Sequence, residues 1–198
     1  MFCRTAGMGG HTSQCEQCRH IEISYNSCRN RHCPKCQSLA KARWLEDRKK
    51  DLLPVRYAHA VFTLPHELND LVLYNKKVTL DGLFNSVKQT LMEFSKNPRY
   101  GLVGQLGFTL VLHTWDQKMN PHYHLHCVIP AGVYLEDEKD WVNARYKFLF
   151  PVKALSKVFK GKTVSFLRKT FNQGKLGFPK AIKGVGKERS FSELLSTV

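Results

Sequence analysis

The order of elements in this 198-residue sequence predicts an α+β fold. An antiparallel sheet with helices on one face follows a small cysteine-rich module. Three observations carry that expectation. Six of the seven cysteines fall within the first 36 residues. From Val55 onward the apolar patterning runs strand, helix, helix, strand, strand. One of those strands, inside NPHYHLHCVIPAG (120–132), carries histidine at every second position.

Composition narrows the class. The length suits one medium domain, or a domain with a small appendage. With 42% hydrophobic and 11% aromatic residues the chain is globular rather than disordered. A formal charge of +15 points to an anionic partner, most often nucleic acid. No segment approaches the ~20 apolar residues of a membrane span, and the N-terminus lacks a signal-peptide pattern. The expectation is a cytoplasmic protein with no membrane partner.

The N-terminal module comes first. Cys15-Glu-Gln-Cys18 and Cys33-Pro-Lys-Cys36 are two C-x2-C knuckles separated by 14 residues. Each knuckle turns two thiolates toward one point, so Cys15, Cys18, Cys33 and Cys36 are the expected tetrahedral set for a structural Zn²⁺. A reducing cytosol disfavours the alternative, disulfides. Cys3, His11, Cys28 and His32 remain in the same segment as a second candidate set, with less regular spacing. His20 reads as solvent-exposed. The module is assigned to 1–37.

A basic linker helix is expected over 38–53, with Leu39, Ala42 and Leu45 on one side and Arg43, Arg48, Lys49 and Lys50 around the rest. Pro54 punctuates, and the second domain is assigned to 54–198. Its first strand reads as VRYAHAVFTL (55–64), and a helix begins after Pro65. The next helix, from Lys77 to Lys96, stacks Leu80, Leu83, Phe84, Val87, Leu91 and Phe94 on one stripe, and Asn97-Pro98 ends it. Strands are expected over Gln105–His113 and His122–Pro130, joined by a turn around Trp115–Pro121. Gly132 and the acidic run Glu136–Asp140 mark a hairpin tip.

The histidine strand carries the first chemical signal. In a β-strand successive side chains point to opposite faces, so His122, His124, His126 and Val128 share one face. Tyr123, Leu125, Cys127 and Ile129 share the other, which is apolar enough for a core. The imidazoles then stand about 7 Å apart, close enough for neighbours to converge on one ion. One histidine on such a face is ordinarily a hydrogen-bonded surface group; three in register favour a metal or catalytic site. On the preceding strand His113 shares a face with Thr109 and Val111. It is the candidate third ligand, with Asp116 competing.

The second signal is charge. From Trp141 to Lys187 there are twelve Lys or Arg residues and no Asp or Glu. Within 151–162, Lys153, Lys157 and Lys160 form one helical face, and Val152, Leu155 and Phe159 form another. Arg168 and Lys169 lie further along. An ordinary solvated face carries mixed signs; a wholly basic one suits a phosphate backbone.

In order along the chain, CRTAGMGGH, YNSCRNRHCPKCQ, VFTLPHEL, LHTWDQ and HYHLHCVIPAG resemble the zinc-binding two-tyrosine rolling-circle insertion-sequence transposases. These are members of the HUH (His-hydrophobic-His) superfamily of single-strand DNA nucleases. The resemblance covers nearly the whole chain. It identifies His124-Leu125-His126 as the HUH motif and implies a ferredoxin-like HUH-nuclease domain with an antiparallel sheet. It further implies that His124, His126 and a third ligand hold Mg²⁺ or Mn²⁺, which polarises the scissile phosphate of single-stranded DNA at insertion-sequence ends. A tyrosine hydroxyl attacks, leaving a 5′-phosphotyrosine link and a free 3′-OH. The implied setting is a bacterial cytoplasm, at the nucleoid when bound.

One departure bears on activity. The family's nucleophiles form a Y-x3-Y pair on a helix after the HUH strand. The tyrosines here are 25, 57, 74, 100, 123, 134 and 146, and no two are four apart. The expectation is therefore a chain truncated relative to the family, its second domain incomplete at the C-terminus. Such a chain would bind DNA and metal without cleaving on its own. Two other classes remain open: a metal-dependent phosphodiesterase acting without a tyrosine, and a zinc-dependent DNA-binding fragment without catalysis.

Overall fold

Two C-x2-C turns and a hairpin organise the first 54 residues. The protein is described here from a computed structural model covering residues 2–144 and 149–197. The chain divides into two compact units, Met1–Pro54 and Val55–Val198. In the first, β1 (Gly10–Gln14) and β2 (Ile21–Tyr25) pair antiparallel, Gly10 opposite Tyr25 and Gln14 opposite Ile21. The helix α1 (Pro34–Lys50) follows. It starts earlier than the expected 38–53 because Cys33 takes an extended N-cap conformation with Pro34 in the first turn, where a missing N–H costs nothing. None of its residues is buried among the described residues, and Leu39 and Trp44 are well exposed.

The second unit is built on a three-stranded antiparallel sheet in the order β3-β5-β4. Its strands are β3 (Tyr57–Thr63), β4 (Thr109–Trp115) and β5 (Pro121–Pro130). Between β3 and β4 lie α2 (Asn69–Tyr74) and α3 (Lys76–Phe94). After β5 come a small hairpin, β6 (Gly132–Leu135) and β7 (Asp140–Asn143), then α4 (Val152–Asn172) and α5 (Glu188–Thr197). The α+β class, the antiparallel sheet and the hairpin at the acidic run agree with the sequence. Residues 105–108 fall outside the expected strand 105–113 because Gln105 exchanges both backbone hydrogen bonds with Tyr134 of the small hairpin. Among the described residues no helix is long and apolar enough to cross a membrane.

Alternation along β5 fixes which side is core. Tyr123, Leu125, Cys127 and Ile129 are all buried, whereas His122, His124 and His126 are half-buried and Val128 is exposed. Phe62 and Leu64 at the end of β3 add to the buried face. The helices cover it: Phe159 of α4 meets Phe62 edge-on at 5.1 Å between ring centroids. Burying side chains of this size stabilises by about 1.5–3 kcal/mol each. In α3, Gly82 admits the Phe166 ring of α4 so closely that a Cβ there would stand 2.1 Å from it. Among the described residues the opposite face of the sheet, with the histidines, carries no helix-packed core residues and keeps Val61, Val111 and Val128 exposed.

Candidate metal centres

The β4–β5 register brings the histidines together. His113 lies directly opposite His124, and Val111 opposite His126. The ring centroids are 5.2 Å apart for His113–His124, 4.3 Å for His113–His126 and 5.0 Å for His124–His126. One nitrogen from each of the three lies within 4.8 Å of the others. Because the histidines lie on one strand or on neighbouring strands, the backbone ladder sets their spacing.

Protonation is also set. His124 Nδ1 lies 3.1 Å from the carbonyl oxygen of His122. A carbonyl only accepts, so His124 carries its proton on Nδ1 and leaves Nε2 as a lone-pair donor. Burial, and then the nearby His113, His124 and His59 rings, push His126 below the ordinary histidine range, toward the neutral form that binds metals. Trp115 stacks on His113 at 5.6 Å and 6°. His122 stays on the same face, with its ring 4.8 Å from that of His124, but lies outside the three-nitrogen group.

Asp116, the competitor for the third place, is occupied in a turn. Its Oδ1 accepts the backbone N–H groups of Lys118 and Asn120, each at 2.8 Å, and its Oδ2 accepts from Asn120 Nδ2 at 3.0 Å. The Asn120 side chain foremost, and then the backbone amides, hold its carboxyl below the usual range. Sequence reasoning missed His59. Its Nε2 is 2.8 Å from His126 Nδ1, and the rings lie 5.1 Å apart at an interplanar angle of 3°. Alternation puts His59 on one face with Tyr57, Val61 and Thr63, but only the β3–β5 register brings that face to the histidines of β5.

The cysteines are grouped differently from the expected quartet. Cys3, Cys28, Cys33 and Cys36 bring their sulfurs within 4.8 Å of one another, with Cys3–Cys36 at 3.3 Å and Cys28–Cys36 at 3.6 Å. The edge of a zinc–thiolate tetrahedron is about 3.8 Å for a bond of about 2.3 Å, so four thiolates fit Zn²⁺ here. The Cys36 thiol is drawn down to about 6, chiefly by the Cys3 thiol that donates toward it. Cys3 itself, although the Cys28 amide lowers it, is pushed up to about 12 by Cys36 and by burial. Cys33 is held low by the Cys36 amide.

Cys15 and Cys18 form no part of that group. The reason is the hairpin. The bonds Cys28 N–H to Cys3 Sγ and Arg4 N–H to Asn26 O hold Cys3 and Cys28 at its open end. Cys15 and Cys18 sit at its closed end, beyond five residues of strand, or about 17 Å. Both are exposed, and Cys15 is held low by the Cys18 amide and then the Gln17 amide. The turn keeps the geometry of a metal knuckle, with Arg19 after it at φ 59° just as Arg4 follows Cys3 at 55° and Arg29 follows Cys28 at 49°. The second candidate set is likewise split. His11 is exposed on β1, and the exposed His32 accepts from Arg31 Nε at 3.1 Å. His20 is exposed as expected.

On α4, Lys153, Lys157, Lys160, Arg168 and Lys169 are all exposed, and among the described residues none has an acidic partner. Lys162 does, bonding Glu93 at 2.7 Å. Because Phe159 packs on the core face of the sheet, these cations point into solvent from the helical layer. The histidines open on the other face.

Two family models match the chain: a transposase zinc-binding domain over residues 1–64 and a putative transposase over residues 107–197. A putative transposase, y4qJ, of Sinorhizobium fredii (strain NBRC 101917 / NGR234) is 42% identical over 195 residues, 98% of this chain and 49% of that one. The transposase for insertion sequence element IS801 of Pseudomonas savastanoi pv. phaseolicola is 32% identical over 148 residues, 74% of this chain and 35% of that one. The chain therefore spans half or less of the length of these curated relatives. Among solved structures, the conjugative relaxase TrwC in complex with oriT DNA, in its metal-bound form, aligns with a TM-score of 0.41 at 15% identity, over 56% of this chain and 42% of that one.

Proposed function

The chain belongs to the zinc-binding two-tyrosine insertion-sequence transposases, and on that premise we propose that it binds single-stranded DNA and sets a scissile phosphate for strand cleavage and transfer in DNA transposition. The observation that carries this reading is the meeting of His113, His124 and His126 on an open sheet face. A divalent cation held there would withdraw charge from the phosphate as an attacking oxygen arrives. Mn²⁺ is the practical probe, because it is paramagnetic and its binding can be followed directly by EPR.

The chain's own groups support the rest of the site. The His122 carbonyl fixes the His124 tautomer, and the exposed Val61, Val111 and Val128 flank the rings with apolar surface. The attacking group in this chemistry is a tyrosine oxygen, which bonds to phosphorus as the P–O3′ bond breaks. Tyr123, though next to two histidines in sequence, is buried on the core face and its hydroxyl is pushed up by desolvation. It cannot serve. Tyr146 lies outside the described residues. The Cys3, Cys28, Cys33 and Cys36 cluster, holding Zn²⁺, organises the N-terminal unit, and Cys15 with Cys18 form a knuckle outside it.

Fluorescence anisotropy of a single-stranded oligonucleotide tests the reading. Mn²⁺ should tighten binding, and His113→Ala should remove that gain. Equal affinity with and without Mn²⁺ would instead favour a DNA-binding fragment acting through the basic face of α4. No denaturant-resistant protein–DNA adduct is expected from these 198 residues alone. An adduct mapping to Tyr134 or Tyr146 would place the nucleophile within them.

A further inference from the structure

His124 and His126 solve the same problem in different ways. A histidine that ligates through one ring nitrogen needs its other nitrogen held, because an unheld ring samples both tautomers and two ring flips. For His124 the partner is the His122 carbonyl, on its own strand. His126 has no such neighbour among the described residues. Its Nδ1 faces the Nε2 of His59, across the β3–β5 ladder where His59 pairs with Val128.

The geometry of that contact is specific. The N···N distance is 2.8 Å while the ring centroids are 5.1 Å apart with planes only 3° from parallel. The centroid separation exceeds the N···N distance by about one ring diameter. The rings therefore meet edge to edge in one plane, a linear hydrogen bond rather than a face-to-face stack. His59 is exposed and contributes nothing to the core.

We propose that His59 is a positioning residue: its Nε2 lone pair accepts the Nδ1 proton of His126, which fixes His126 with Nε2 aimed at the ion shared with His113 and His124. This rests on the three-histidine metal reading above. With it, both HUH histidines present Nε2 and both hold their proton on Nδ1, one through a backbone carbonyl and one through a side chain from the neighbouring strand. No bond is made or broken; the role is one of tautomer and aim.

The experiment compares wild type, His59→Leu, His59→Gln and His124→Ala, each purified with its zinc. Leucine suits an exposed strand position and cannot accept a proton; glutamine places an amide oxygen near the site of Nε2. Mn²⁺ affinity, followed by EPR, should fall by about 10- to 100-fold in His59→Leu and largely recover in His59→Gln. Nitrogen-15 spectra of the metal-free protein should show the Nδ1–H tautomer of His126 in wild type and a mixture in His59→Leu. Undiminished Mn²⁺ affinity in His59→Leu overturns the proposal, as does an Nε2–H tautomer of His126 in the wild type. Four coordinated imidazoles by pulsed EPR with Cu²⁺, falling to three in His59→Leu, would make His59 a ligand and overturn it too. If His124→Ala leaves Mn²⁺ affinity untouched, the metal reading itself fails. The tautomer spectra still decide the role of His59.

Discussion

His113 and His124 stand directly opposite each other across the β4–β5 ladder, their ring centroids 5.2 Å apart. Equivalent positions predict equivalent losses. His113→Ala and His124→Ala should each weaken Mn²⁺ binding by at least tenfold, measured by EPR titration. Because neither ring is part of the core, thermal stability of the metal-free protein should shift by no more than about 0.5 kcal/mol. A large loss of stability with intact Mn²⁺ binding would make His113 a structural group.

Asp116 belongs to the turn, so Asp116→Asn should leave Mn²⁺ affinity unchanged while altering the acid limb of stability. Its carboxyl lies below the ordinary value of 3.8 in the folded protein. Between the two values the unfolded state binds more protons, so this contribution is complete above pH 3.8 and disappears as pH falls through the lower, folded value. In the variant, unfolding curves at acidic pH should lose that component. Unaltered pH dependence would contradict the three hydrogen bonds that Asp116 accepts.

Zinc content separates the two groupings of cysteine. Cys28→Ser should release the ion from the N-terminal unit, because Cys28 is one of the four clustered sulfurs. Cys15→Ser should retain that ion, with elemental analysis differing by one equivalent at most. Loss of the ion in Cys15→Ser with retention in Cys28→Ser would restore the Cys15, Cys18, Cys33 and Cys36 set. Chelation should unfold this unit, since a site of this kind joins metal binding to folding.

Gly82→Ala tests the close approach of α3 and α4. Alanine gains up to about 1 kcal/mol in helix propensity. Overpacking against the Phe166 ring costs about 1–3 kcal/mol, and a Cβ at 2.1 Å leaves no room without a shift. The net expectation is destabilisation, read as a lower Tm. A raised Tm would mean that Phe166 swings away freely.

Replacing Lys153, Lys157 and Lys160 with alanine should flatten the salt dependence of single-stranded DNA binding. Each lost phosphate contact lowers the slope of log K against log salt by about 0.7. An unchanged slope would mean that DNA keeps to the histidine side and never reaches α4.

Much of the sheet was legible in the sequence because strand alternation is a short-range rule. The buried set Tyr123, Leu125, Cys127 and Ile129 and the open set His122, His124 and His126 could be read from β5 alone. What required the fold was register between strands. Nothing in VRYAHAVFTL says that His59 stands beside His126 until the β3–β5 pairing is known. The cysteines show the same limit. Two C-x2-C knuckles look alike in a sequence, but a hairpin of five-residue strands holds one of them about 17 Å from the other's partners.

The pleat of β5 makes its two faces inseparable. Strands β3 and β4 hold it on both sides, and one residue in every two points to water. Point replacement of a histidine therefore changes one ligand and leaves the neighbouring leucine where it was. Deleting a single residue ahead of His122 would act otherwise: unless a bulge absorbs it, the strand slips by one and Leu125 and Cys127 turn outward as the imidazoles turn in. For a lineage this means that the site can fade one histidine at a time with its scaffold intact. A reading-frame-preserving deletion of one codon in this strand removes site and scaffold at a stroke.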